Sequence, residues 1–169
     1  SLSYGSSRQR LDGRLLLPDG QPVALRLRTR MQPETWRETE SELYLSLPQS
    51  DWATWLPKSL LGDWQLQRLQ AGGELWLQGR GLALDKAALR LHAPELVGGR
   101  AKREAVTLKD LAFNAFFEHD EQGMRGQIDS LAMTHGEQRI GELHLNLKQL
   151  DGGETDERWA LTADRLDLA

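Results

Sequence analysis

The chain has 169 residues, a formal net charge of −4, 39% apolar residues and no cysteine. The length fits one domain, the acidic balance speaks against a nucleic-acid binder, and the missing thiols exclude a disulfide framework or a thiolate metal site. Nowhere do about 18 apolar residues run together, so no membrane-spanning helix is expected.

Residues 1–10 read as a linker, and 11–169 as a single β section of a longer protein. Ser1–Ser7 lacks the apolar stretch of a signal peptide. The turn signature Leu17-Pro18-Asp19-Gly20 predicts a three-residue hairpin loop. That loop pairs Leu15 with Val23, Gly13 with Leu25 and Leu11 with Leu27, and sets Asp12 against Arg26 on the other face. Glu38, Glu40 and Glu42 share the parity of Arg26, Arg28 and Arg30. An antiparallel register with Arg28 beside Glu40 and Leu25 beside Leu43 then gives one charged face and one leucine face. Ser50 is the expected cap of a short helix over Asp51–Leu56, with Trp52, Trp55 and Leu56 on one side and Pro57 ending it.

Strands resume over Trp64–Ala71. Gly72-Gly73 reads as a turn, Glu74–Gln78 as a strand and Gly79-Arg80 as a type II′ loop pairing Leu77 with Leu82 and Leu75 with Leu84. The parity flips between Leu84 and Ala87, so Asp85-Lys86 is a tight turn or a bulge. His92-Ala93-Pro94 closes the next strand, and Gly98–Glu104 reads as an exposed loop. The last third repeats the plan. Leu111, Phe113, Ala115 and Phe117 share a face, and Asp120–Gly123 turns the chain. A second parity change between Ile128 and Leu131 marks another bulge. His135–Gln138 and Asp151–Gly153 are further turns, and Trp159 shares a face with Leu161. Ten to twelve short strands in a meander follow, without the rhythm of a parallel sheet.

His92, His119, His135 and His144 stand far apart, and no nucleophile elbow, phosphate loop or dinucleotide fingerprint occurs. No catalytic residues, metal ligands or cofactor are therefore expected, and the protein is read as non-enzymatic. What the pattern does supply is one-sided apolar surface. The expected lining of an apolar groove is Leu11, Leu15, Leu17, Val23, Leu25, Leu27, Leu43, Leu45, Leu47, Leu75, Leu77, Leu89, Leu91, Phe113, Phe117, Leu143, Leu145, Leu147 and Leu161. The fold class expected is mainly β: a strongly curved, mostly antiparallel meander forming an open apolar trough, with one short helix near 51–56. The alternative arrangement is a closed β-sandwich serving as a binding or scaffolding module, with glycans taken by Trp36, Trp64 or Trp76.

Several phrases resemble the YhdP branch of the AsmA-like proteins. They include Leu15-Leu16-Leu17-Pro18-Asp19-Gly20, Leu45-Ser46-Leu47-Pro48 followed by Asp51-Trp52 and Trp55-Leu56-Pro57, and Gly72-Gly73-Glu74-Leu75-Trp76-Leu77. Others are Leu89–Leu96, Asp129–Ala132, Gly141-Glu142-Leu143 and Arg158–Leu168, so the likeness runs from about Leu11 to Leu168. The resemblance implies a bridge-like lipid transport protein of a Gram-negative bacterium, anchored in the inner membrane and crossing the periplasm. It implies an open β trough that carries phospholipids towards the outer membrane. This chain would be one internal section, touching acyl chains and neighbouring sections of the same polypeptide, with membrane contact only through parts outside it.

Overall fold

The period-two alternation resolves into nine strands that pair strictly in sequence order. The computed structural model describes residues 7–31, 38–54, 56, 62–121, 123–150 and 158–163. The strands are β1 (Ser7–Leu16), β2 (Pro22–Met31), β3 (Glu40–Asp51), β4 (Trp64–Arg80), β5 (Ala83–Arg100), β6 (Val106–Asp120), β7 (Gly123–His135), β8 (Gln138–Leu150) and β9 (Arg158–Ala163). All neighbours are antiparallel, and the sheet is open rather than closed into a barrel. The described residues contain no second sheet, so the closed sandwich does not form. Substantial packing is confined to sequence-adjacent strands and to a 3₁₀ turn (Trp52–Thr54) against β4.

The first hairpin has the expected register: Leu15 opposite Val23, Gly13 opposite Leu25 and Leu11 opposite Leu27. Gly20 closes the loop at φ +83°, where its N–H donates to Leu17 O at 2.8 Å. The β2–β3 register differs from the expected one by two residues. Arg28 faces Glu42, not Glu40, and Leu25 faces Leu45, not Leu43. An even shift leaves every side chain on its expected face, so alternation by itself does not separate the two registers.

Glycine accounts for the larger differences. Gly72 and Gly73 lie inside β4, not in a turn, so β4 runs unbroken for 17 residues. Gly73 sits where a Cβ would lie 2.0 Å from Arg90 O, and the absence of a side chain lets β5 pass. Gly98 and Gly99 are likewise buried strand residues of β5, with the turn following at Ala101. His92-Ala93-Pro94 does not end its strand; β5 continues to Arg100, with a register shift next to Pro94. The β4–β5 loop is Gly81-Leu82 rather than Gly79-Arg80, since Gly81 adopts φ +60° and Arg80 pairs with Ala83. The parity change near Asp85 is a bulge, as is the one between Ile128 and Leu131, where Ser130 takes φ +54°.

The predicted helix is a single 3₁₀ turn. Asp51, not Ser50, caps it: its carboxylate accepts from the N–H of Ala53 at 3.1 Å and from that of Leu69 at 3.0 Å. The buried Ser50 hydroxyl instead donates to Asp19 at the tip of the first hairpin. Trp52 Nε1 donates to Ala71 O at 2.7 Å. Val23, Ser50, Ala71, Gly72, Ala93, Gly98 and Gly99 are the buried residues among those described. Trp36, Trp55, Pro57 and the turn at 151–153 lie outside the described residues.

Because the Arg90 carbonyl occupies the place of a Gly73 side chain, Gly73→Ala should cost about 2–3 kcal/mol. Gly141→Ala, with nothing within 4 Å of its Cβ position, should change stability by less than about 0.5 kcal/mol. Urea unfolding midpoints of the two variants check this contrast.

Candidate functional site

Cross-strand partners share a face, so the register defines rows that run across the sheet. One row is Leu11, Leu27, Leu43, Leu77, Ala87, Phe117, Gly126, Leu147 and Leu161, one residue from each strand. The next is Gly13, Leu25, Leu45, Leu75, Leu89, Ala115, Ile128, Leu145 and Ala163. A third contains Leu15 and Val23, then Leu47, Gly73, Leu91 and Phe113, then Leu131 and Leu143. The structure thus brings eighteen of the nineteen expected lining residues onto one face. Leu17 stands apart in the first hairpin loop.

These side chains are mostly half-buried by one another. Those on the flanking strands, Leu11, Leu15, Leu147 and Leu161, are exposed. Eight strand spacings give a width of about 38 Å, and two steps along a strand give about 7 Å between rows. Three rows therefore cover roughly 500 Å², above the size of ordinary apolar patches on monomers.

The opposite face carries rows of another character, two of which run along a cavity. One reads Asp12, Arg26, Tyr44, Trp76, Ala88, Phe116, Gln127, Asn146 and Thr162. The other reads Arg10, Arg28, Glu42, Gln78, Lys86, Glu118, Arg125 and Lys148. Asp12 bridges Arg10 at 2.7 Å and Arg26 at 3.0 Å, and hydrogen bonds from these two guanidinium groups hold its carboxyl below the usual range. Glu118 pairs with Lys86 and Arg125, each at 3.3 Å. Tyr44 donates to Glu74 Oε1 at 2.8 Å, and its ring packs on Trp76 with centroids 5.4 Å apart. Arg90 reaches over Trp76 at 6.0 Å.

A cavity of about 1040 Å³ lies along these two rows and is bordered by all seven strands from β2 to β8. Its cations are Arg26, Arg28, Lys86, Arg125 and Lys148, and its carboxylates are Glu42, Glu74 and Glu118. Of the expected lining residues only Leu43, Leu77, Phe117 and Leu147 border it, all from the single row lying between the two charged-face rows. The concavity therefore sits over the charged face. Trp76 does point to that face, as its alternation with Leu75 and Leu77 predicts. Tyr44, Ala88 and Phe116 were not picked out by sequence reasoning, although their parity relative to Leu43, Leu89 and Phe117 carries the signal.

No group of three or more metal-ligating side chains comes together among the described residues, and no helix there is long and apolar enough to cross a membrane. Set against models of protein families, curated proteins and solved structures, the chain matches none.

The hydrogen bond to Glu74, followed by burial and the carboxylate charge, raises the Tyr44 phenol above its ordinary value of 10.0. A pKa raised by folding gives stability that is complete below the unfolded value and lost as pH rises through the folded one. In a Tyr4→Phe background, ultraviolet absorbance should show Tyr44 ionising above pH 10.0, and Glu74→Gln should bring that transition down.

Proposed function

We propose that this chain is a non-enzymatic section of a lipid conduit whose leucine face shields phospholipid acyl chains in transit. The observation that carries the reading is the apolar face, two rows across nine strands and a third across eight, with no second layer over it among the described residues. Each acyl CH₂ taken out of water is worth about 0.8 kcal/mol, so a bare two-tailed lipid crosses an aqueous gap only with great difficulty. A face of plain leucines offers hydrocarbon contact without hydrogen-bonding anchors, which suits sliding better than fixed binding. The resemblance of its short phrases to the AsmA-like proteins points to the same reading. On it, the chain works in the periplasm as part of an inner-membrane-anchored protein. Neighbouring sections of that protein extend the sheet from β1 and β9, its outer strands among the described residues.

Leu45 lies at the middle of the central row, between Leu25 and Leu75. Leu45→Asp should abolish binding of a fluorescent fatty acid and remove phospholipid that copurifies in native mass spectrometry. It should cost only about 1–2 kcal/mol of stability, because the carboxylate stays in contact with water. Global unfolding of this variant indicates a sealed core, and unchanged lipid binding by a folded variant removes the leucine face from the mechanism.

A further inference from the structure

The cavity on the charged face has a construction that lipid shielding does not use. Trp76 on β4 and Phe116 on β6 flank Ala88 on β5, and each is its direct cross-strand partner. The two aromatic side chains therefore rise from strands about 9.6 Å apart, with the Ala88 methyl between their bases and the Arg90 guanidinium reaching over the Trp76 ring 6.0 Å from its centroid. Trp76, Ala88 and Phe116 all border the cavity, so the shallow place over Ala88 is open to it as a slot between the two side chains. Trp76 and Phe116 remain 38% and 48% exposed, and Tyr44, itself tied to Glu74, backs Trp76 from β3.

The row beside the slot sets like charges directly opposite each other, Lys148 against Arg125 and Arg28 against Arg10, with Glu42 opposite Arg28 on its other side. Like-charged pairs are unfavourable by themselves. Arg10 and Arg125 have carboxylate partners, whereas Arg28 and Lys148 have no ion-pair partner among the described residues. Both border the cavity, from its β2 and β8 sides.

We propose that this slot binds an acidic oligosaccharide, one sugar ring lying between Trp76 and Phe116 over Ala88 and its carboxylates reaching Arg28 and Lys148. A pyranose presents apolar C–H faces to aromatic rings and hydroxyls at its rim. The amides Gln78 and Asn146 along the same cavity both donate and accept, as hydroxyls require, while the Gln127 amide nitrogen donates to Asp129. The carboxylates of Glu42 and Glu74 disfavour a densely charged polyanion such as a nucleic acid. The charged rim is equally unsuited to a bare acyl chain. The proposal does not rest on the conduit reading, although Leu43, Leu77, Phe117 and Leu147 border the same cavity.

The test is calorimetric titration of the chain at low salt with tetragalacturonic acid, with its neutral methyl ester and with inorganic polyphosphate. The acid should bind in the millimolar range or tighter, the ester more weakly, and polyphosphate no better than the acid. Trp76→Ala and Ala88→Leu, the second filling the slot while keeping both rings, should each weaken the acid roughly tenfold or more. Arg28→Gln with Lys148→Gln should reduce binding of the acid to the level of the ester. Fatty-acid binding at the leucine face should be unchanged in all of these variants, which separates a failure here from a failure of the conduit. The proposal is overturned if neither sugar binds, if folded Ala88→Leu binds as the native chain does, or if polyphosphate binds better than the sugar.

Discussion

Strand register is the constraint on which everything else in this molecule rests. In a single sheet each residue has one of two sides, and a slip of one residue exchanges them. Here eight successive pairings keep the three leucine rows on one side and the charged rows on the other. The long strands would drift out of phase without correction, and bulges supply it. The irregularities at Asp85 and between Ile128 and Leu131 each absorb a residue where the sequence changes parity, so the faces continue unbroken. Gly73 belongs to the same system, because without a side chain it lets β5 lie closer than any other residue allows.

An open sheet of this kind lacks the usual source of stability. Globular domains gain most from apolar burial between two layers. This one has few fully buried residues among those described, and half-buried leucines packed on their cross-strand neighbours. Hydrogen-bonded ladders and lateral leucine contacts therefore carry the fold. The Asp19–Ser50 and Trp52–Ala71 contacts tie one end of the sheet. A surface that stays apolar after folding remains free to hold something else, and that freedom links the architecture to transport.

Much of this was legible in the sequence, and the reasons for the failures are specific. The first hairpin could be read residue by residue because Pro18-Asp19-Gly20 fixes the loop and the loop fixes the register. The faces of the leucines followed from alternation alone. The β2–β3 register did not, since a shift of two preserves alternation. Gly72-Gly73 and Gly98-Gly99 look like turns because glycine serves both turns and close strand crossings. Only the partner strand, through Arg90 and Gln65, distinguishes the two uses. The aromatic slot stayed hidden for a related reason. Ala88 gains meaning only once Trp76 and Phe116 are known to be its neighbours on either side.

The chain has no cysteine, so a single thiol can report on the leucine face directly. With Leu45→Cys or Leu89→Cys in the central row, maleimide labelling of the native protein measures access, and a short-chain phospholipid measures occupancy. An open apolar face gives labelling without denaturant and protection as the phospholipid is added. Thiols that react only after unfolding, or that phospholipid leaves unprotected, contradict a hydrocarbon-bearing surface.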